Sequence, residues 1–279
     1  MDAASRGYVS SARLPQPPWR PPPVQAFEVP LSATGMGPAC PFAFASDRSD
    51  GRLPLVFETT QPLFSADECS MVVGEAARHF AAGRAGSGFT FDETSRSAAV
   101  ADLPRTLDFV NTIALPRVAA TASACFGEAA VGDPRRLHLY RAIVVHYDAA
   151  AGLTHQMTHR DHSLITCVVT LNDRREYEGG GTWVEALGHS LTPPRGHAML
   201  QASALRHGGH TIESGQRWVM VLFMLAEELR YGEVRVPRRP ASFHSAPRRP
   251  QPWGVGSTPT ASTPTVRGRC LAVTCDPCP

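Results

Sequence analysis

From residue 137 onward the chain is written in short runs of β-branched and aromatic residues. They are LHLYRAIVVHYD (137–148), LITCVVTLN (164–172), GTWVEA (181–186), HAMLQA (197–202) and RWVMVLFML (217–225), with Gly, Pro, Asn and Asp between them. Short strands separated by turn residues read as an all-β sandwich or barrel. Upstream the pattern differs. Leu55, Val56 and Phe57 suggest one strand, and Ser65 to Glu68 forms an S-x-x-E capping box that opens a helix. Cys69, Val72, Val73, Ala76 and Phe80 then recur at helical spacing, with Gly83 as the stop. A second helical stretch covers about 105–126, divided at Pro116 and ended by Gly127. Helices followed by strands predict an α+β domain, a β-core with a helical support layer.

Proline sets the boundaries. PQPPWRPPP near the start and PRRPASFHSAPRRPQP near the end hold too little apolar content to pack a core. The expected organisation is a disordered Pro-rich segment 1–53, a folded domain 54–231 (helical support 54–135, β-core 136–231) and a disordered basic tail 232–279. Every one of the 27 basic side chains is arginine. Residues 54–231 hold 15 arginines and 19 acidic side chains, a net −4 (15 − 19). A mildly acidic core argues against nucleic acid as its main partner. No run approaches the ~18 consecutive apolar residues of a membrane-spanning helix, and the first thirty residues lack a secretory apolar segment. A cytoplasmic protein is therefore expected. The seven cysteines are irregularly spaced, and only Cys275 and Cys278 form a CxxC, with no second pair to complete a zinc site. Nothing in the sequence sets the oligomeric state.

Nine of the 11 histidines fall between 138 and 210. In extended chain, residues i and i+2 point to one side, so His159 and Asp161 of His159-Arg160-Asp161 present an imidazole and a carboxylate to one point. A neighbouring strand can add His207. Two histidines and a carboxylate on one face, with open positions opposite, form the facial triad of non-haem Fe(II) oxygenases. Arg217 follows ten residues after His207 and opens an apolar run. A guanidinium entering an apolar interior needs a partner, and it grips carboxylates through paired hydrogen bonds. His210 would stand only seven residues before Arg217 and is assigned to a turn or pocket rim. His155, His162, His189 and His197 are expected to be solvated or to sit behind the ligands. The Gly179 to Gly181 run is expected to make a tight turn or bulge.

Several motifs occur together: H-x-D, the T-x-x-V-x-L-N strand (166–172), the G-G-G-T hairpin (179–182), P-x-x-G before the next strand (193–196), H-G-G (207–209) and G-x-R-W (215–218). With them, residues 137–226 resemble the catalytic domain of 2-oxoglutarate- and Fe(II)-dependent dioxygenases, in particular the prolyl 4-hydroxylase and lysyl hydroxylase branch. FSADEC and LPRTLDFVNTIALPRVAATASACFG are similar to that family's N-terminal helical region. The resemblance implies a double-stranded β-helix, or jelly-roll, core. It assigns His159, Asp161 and His207 to iron and Arg217 to the distal carboxylate of 2-oxoglutarate. It also places Tyr147 near the cosubstrate and has Thr170 add a hydroxyl to the same carboxylate. Arginine at 217, where some prolyl 4-hydroxylases carry lysine, leans towards the lysyl hydroxylase and oxygen-sensor style. Halogenating relatives lack the carboxylate ligand, so Asp161 favours hydroxylation. O2 as co-reactant, succinate and CO2 as products, and ascorbate as reductant are further implications.

The leading expectation is hydroxylation of a peptidyl side chain, proline or lysine. The same chemistry on a small molecule or nucleobase is a second reading. A metal-binding scaffold that acts through its tails without turnover is a third.

Overall fold

The computed structural model describes residues 7–8, 19–36, 51–84, 86, 91, 93–127, 135 and 137–226. The expected tail 232–279, with Cys275 and Cys278, lies outside them. In chain order the strands are β1 (Val24–Pro30), β2 (Arg52–Thr59), β3 (Arg96–Ala99), β4 (Leu137–Asp148), β5 (Ile165–Thr170), β6 (Tyr177–Gly179), β7 (Thr182–Val184), β8 (His189–Leu191), β9 (Ala198–Ala202), β10 (His207–Gly209) and β11 (Ile212–Ala226). The helices are α1 (Ala66–Ala81), α2 (Pro104–Phe109) and α3 (Leu115–Phe126), with a π turn, Val110–Ala114, joining the last two.

The larger sheet runs β1-β2-β9-β5-β11-β4-β3, every neighbouring pair antiparallel, and the smaller runs β10-β7-β8. The opening residues of β11 pair with β6, and from Gln216 onward the strand pairs with β4. Together the sheets make a mostly antiparallel jelly-roll core.

The two faces of β11 are divided by the two-residue strand period. Arg217, Val219, Val221 and Phe223 line an interior cavity. Trp218, Met220 and Leu222 point the other way, towards the helices, and are buried. There the Trp218 ring stacks on His146 of β4 (centroids 3.8 Å apart, 16° between planes), and Phe80 of α1 lies 6.1 Å from each ring. Phe126 of α3 meets Phe57 of β2 edge-on at 4.9 Å.

Local chemistry explains the helices. Ser65 and Glu68 form the expected reciprocal cap: Ser65 N–H donates to Glu68 Oε2 (2.7 Å) and Glu68 N–H to Ser65 Oγ (3.2 Å). Cys69, Val72 and Ala76 form the buried face of α1. Pro116 sits in the first turn of α3, immediately after the π turn. It has no N–H for the helix ladder, and the wider π register absorbs the interruption. Pro104–Phe126 is the one helical stretch among the described residues long and apolar enough to cross a membrane. One face of it, including Leu115, Val118 and Ala122, is buried in the domain core, while Ile113 is exposed.

One boundary differs from expectation. Val24–Pro30, placed in the disordered N-terminal segment, forms the edge strand β1 and pairs along its length with β2. Its prolines flank an alternating VQAFEV whose Val29 is fully buried, and Pro30 ends an edge strand, where no ladder donor is required. Tyr8, also upstream of residue 54, closes the β4 edge beyond β3. Its hydroxyl donates to Ala142 O (3.2 Å) and accepts from Ala142 N–H (3.1 Å).

Leu103 at the N-cap of α2 offers no side-chain acceptor. Glu75 of α1 supplies it across the interface: Oε1 accepts from Arg105 N–H (3.1 Å), and Oε2 accepts from both the N–H and the hydroxyl of Thr106 (2.7 Å each). Burial pushes the Glu75 carboxyl up, but these hydrogen bonds outweigh it and hold the group below the usual glutamate range. In urea unfolding at pH 7, Glu75→Ala is expected to lower stability by about 1 kcal/mol, the worth of a helix cap. A depressed folded-state value means the contribution is present above the unfolded glutamate pKa of about 4.3 and fades as pH falls through the folded value. The gap between wild type and variant should therefore narrow in acid.

Candidate active site

The site is assembled by backbone pairing. His159 and His207 face each other across an isolated antiparallel bridge: His159 N–H donates to His207 O (2.8 Å) and His207 N–H to His159 O (3.0 Å). Two residues on, Asp161 N–H donates to Ser203 O (3.1 Å). This register turns His159 and Asp161 to one side and sets β10's first residue against them. Asp161 Oδ1 lies 3.4 Å from His159 Nε2, and Asp161 Oδ2 lies 3.2 Å from His207 Nε2. One ligand atom from each residue falls within 4.8 Å of the others.

Both imidazoles are oriented from behind. His159 Nδ1 lies 2.7 Å from Met157 O, and His207 Nδ1 lies 3.1 Å from Leu205 O. A carbonyl only accepts, so each Nδ1 carries the proton and each Nε2 turns its lone pair to the common point. Metal-binding histidines are held in this way. Burial pushes the Asp161 carboxyl up, but His207 and His159 outweigh it and hold the group well below the usual carboxylate range. Burial likewise pushes His207 down, and Asp161 more than reverses this. The donor set of two imidazole nitrogens and one carboxylate oxygen fits a divalent metal of the iron type, with the remaining positions open. The side chain of His159 is 19% exposed, against 3% for Asp161 and 6% for His207, so the triad opens past His159. The Phe91 ring lies against it at 4.7 Å.

The triad forms one part of the wall of a partly open cavity. Arg217, Tyr147 and Thr182 line the same cavity, and Ile143, Val168 and Val219 contribute apolar walls. Arg217 is 2% exposed. Its guanidinium stands over the Tyr147 ring, 5.3 Å from the centroid, and Nη2 reaches Thr182 Oγ1 at 3.5 Å. Its Nε has no hydrogen-bond partner. Among the described residues no carboxylate lies within ion-pair distance of Arg217. A buried guanidinium without an acid has chemistry suited to an anion. Burial pushes the Tyr147 phenol up, and Arg217 offsets only part of this.

Two glycines make room for this arrangement. A side chain at Gly209 would collide with the Tyr147 hydroxyl, so the H-G-G motif leaves room for the tyrosine. Gly180 (φ 74°) sits where a Cβ would meet Ile212 at 2.9 Å and the Arg217 stem at 3.3 Å.

Five of the six residues named from sequence, His159, Asp161, His207, Arg217 and Tyr147, line this cavity, and Thr170 does not. Thr170 is buried on β5 opposite Val219, two residues along β11 from Arg217. Thr182 of the smaller sheet lines the cavity, and its hydroxyl is the one within reach of Arg217. It ends the G-G-G-T motif, which marked the turn but did not single out its hydroxyl. The other histidines stay outside the triad. His210 is exposed, with its ring 6.1 Å from Trp183. His197 Nδ1 lies 2.9 Å from Thr59 O, and His155 Nδ1 lies 3.1 Å from Thr154 Oγ1.

No family model and no curated protein matches the chain. Among solved structures it is similar to the non-heme alpha ketoglutarate dependent epimerase SnoN from nogalamycin biosynthesis, at 17% identity and a TM-score of 0.47, over 61% of this chain and 77% of that one. It is also similar to a 2OG-Fe(II) oxygenase family oxidoreductase from Burkholderia pseudomallei, at 16% identity and a TM-score of 0.47, over 61% and 84%. A third is the viral collagen prolyl hydroxylase of Paramecium Bursaria Chlorella virus-1, at 13% identity and a TM-score of 0.39, over 62% and 96%.

Removing one donor should abolish tight metal binding without unfolding the domain. In calorimetric titration with Co(II), His207→Ala is expected to weaken binding by more than the about 10–100-fold that losing a supporting hydrogen bond costs. Co(II) affinity equal to wild type would remove His207 from the donor set.

Proposed function

We propose that the chain is an Fe(II)- and 2-oxoglutarate-dependent oxygenase that hydroxylates a peptidyl side chain, proline or lysine. The observation that carries the chemistry is the buried Arg217, without an acidic partner among the described residues, in the same cavity as the His159, Asp161 and His207 triad. One cavity offers a metal-binding set and an anion receptor with apolar wall between them. That suits a short ligand carrying a metal-chelating group, a methylene stem and a carboxylate, which is the form of 2-oxoglutarate.

His159, Asp161 and His207 would hold the iron. Bound there, iron supplies with 2-oxoglutarate and O2 the oxidising power to hydroxylate a C–H bond, releasing succinate and CO2. The protein's own residues bind and orient. Arg217 donates to the distal carboxylate, and Thr182 adds a hydroxyl on the same side. Tyr147, kept neutral by burial, packs beneath the guanidinium and limits its freedom. Ile143, Val168 and Val219 exclude water from the stem, which strengthens the Arg217 ion pair in a low-dielectric wall. The solvent-exposed flank of His159 is the side from which a substrate reaches the site. The peptidyl substrate, and ascorbate as the reductant that keeps the metal divalent, rest on the likeness of residues 137–226 to the prolyl and lysyl hydroxylase branch.

The test is iron-dependent succinate formation from 2-oxoglutarate, alone and with proline-rich peptides, lysine-containing peptides and small-molecule acceptors. Wild type should form succinate, with the rate raised by a peptide and the peptide recovered hydroxylated. Arg217→Leu should raise the 2-oxoglutarate requirement about 10–100-fold, the ~1.5–3 kcal/mol of a hydrogen bond to a charged group. Stimulation by small molecules alone would overturn the peptidyl substrate. An unchanged 2-oxoglutarate requirement in Arg217→Leu would overturn the anchor.

A further inference from the structure

Asp161 is gripped by more than the two histidines. Its Oδ2 accepts a short hydrogen bond, 2.5 Å, from the Thr166 hydroxyl. Thr166 Oγ1 lies 2.9 Å from Ser203 Oγ, which lies 2.7 Å from Ser163 Oγ. Thr166 and Ser203 are fully buried, and Ser163 is 5% exposed.

The direction of the chain follows from proton counting. A carboxylate only accepts, and each hydroxyl has one proton. Thr166 gives its proton to Asp161, so Ser203 must donate to Thr166, and Ser163 donates to Ser203 at 2.7 Å in preference to Ile165 O at 3.5 Å. The dipoles all point at the carboxylate, and in a low-dielectric interior such chains reinforce one another. The backbone holds the chain in place as well: Ser203 O accepts from Asp161 N–H (3.1 Å), and Ser203 N–H donates to Leu164 O (3.1 Å). Burying hydroxyls in a β-core is costly unless they are satisfied, and these satisfy one another in a line that ends on a single oxygen. A valine in place of Thr166 would fill the same volume on β5 without that cost. The hydroxyls therefore serve Asp161 and not packing.

We infer that Thr166, backed by Ser203 and Ser163, is a positioning residue: by engaging Oδ2 it fixes the Asp161 rotamer and leaves Oδ1 to bind the metal through one oxygen. This rests on the metal-binding reading of the triad. Thr166 has no role in holding substrate or cosubstrate, and it acts only through Asp161.

The experiment uses Co(II) as the probe in the full chain, reading affinity by calorimetry and ligand geometry by the visible spectrum of the bound ion. Thr166→Val is expected to melt within a few degrees of wild type, bind Co(II) about 10–100-fold more weakly and show a shifted spectrum. Thr166→Ser should restore both affinity and spectrum, and Ser203→Ala should move both by a smaller amount in the same direction. Wild-type affinity and spectrum in Thr166→Val would overturn the positioning role while the triad stands. No Co(II) binding by wild type would overturn the metal reading and this inference with it. If Thr166→Val fails to fold, Ser203→Ala with wild-type affinity and spectrum overturns the inference, and a weakened, shifted Co(II) complex supports it.

Discussion

A carboxylate taken out of water must be met by partners, because its desolvation costs several kcal/mol. Asp161, with 3% of its side chain exposed, is where this chain meets that constraint. Its partners come from three places: His159 two residues before it, His207 across the bridge and Thr166 at the start of β5. His159 and Thr166 are near Asp161 in sequence, but His207 lies 46 residues on (207 − 161) and reaches it only through tertiary pairing. The reciprocal hydrogen bonds between His159 and His207, and the bond from Asp161 N–H to Ser203 O, are therefore what the site depends on. They fix the relative register of residues 159–161 and 203–207, and the side chains converge as a consequence.

A second register carries Arg217, the proposed anion anchor. On β4 and β11, Tyr147 pairs with Arg217 and His146 pairs with Trp218. The first pair faces the cavity, and the second is stacked under Phe80 of α1. Adjacent residues of one strand thus serve opposite faces. A slip of one residue would exchange them, placing a guanidinium under the helices and an indole in the cavity. The helical layer lies on the face away from the cavity, and packing Phe80 on Trp218 and His146 supports the register that carries Arg217. This gives the support layer a functional reason beyond covering the sheet.

The same distinction between near and far explains what could be read from the sequence. The β-core was legible because each strand carries its own pattern of β-branched and aromatic residues between turn residues. H-x-D was legible because the strand period alone puts His159 and Asp161 on one side. The Ser65 cap and the helical turn at Pro116 are likewise local. Strand β1 was not, because VQAFEV gains its stability from tertiary partners, chiefly β2, and the surrounding prolines dominate its composition. Thr170 was expected at the anion receptor and Thr182 was not. Both are buried threonines near the right turn, but only the pairing of the smaller sheet decides which hydroxyl faces Arg217. The hydroxyl line behind Asp161 joins Ser163 and Thr166 to a serine forty residues on, a proximity that no periodicity reveals.

The charges of the two halves of the cavity also depend on each other. In the proposed assembly both histidines bind the metal as neutral ligands, so the protein's own charges in the cavity, Asp161 and Arg217, cancel. A dicarboxylate entering that cavity alone would gain the attraction of Arg217 but meet the fixed charge of Asp161 through apolar walls that screen it poorly. A divalent cation entering alone would gain Asp161 but leave an excess positive charge near the guanidinium. Together the two ligands cancel, so in the proposed assembly each is bound better in the presence of the other, and linkage makes that preference reciprocal. A carboxylate beside Arg217, as in an ordinary buried ion pair, would remove the receptor. A second acid in the triad would overcompensate the metal. In the proposed assembly the pairing of one buried acid with one buried base, held apart on different registers of the same core, favours a cation and an anion bound together.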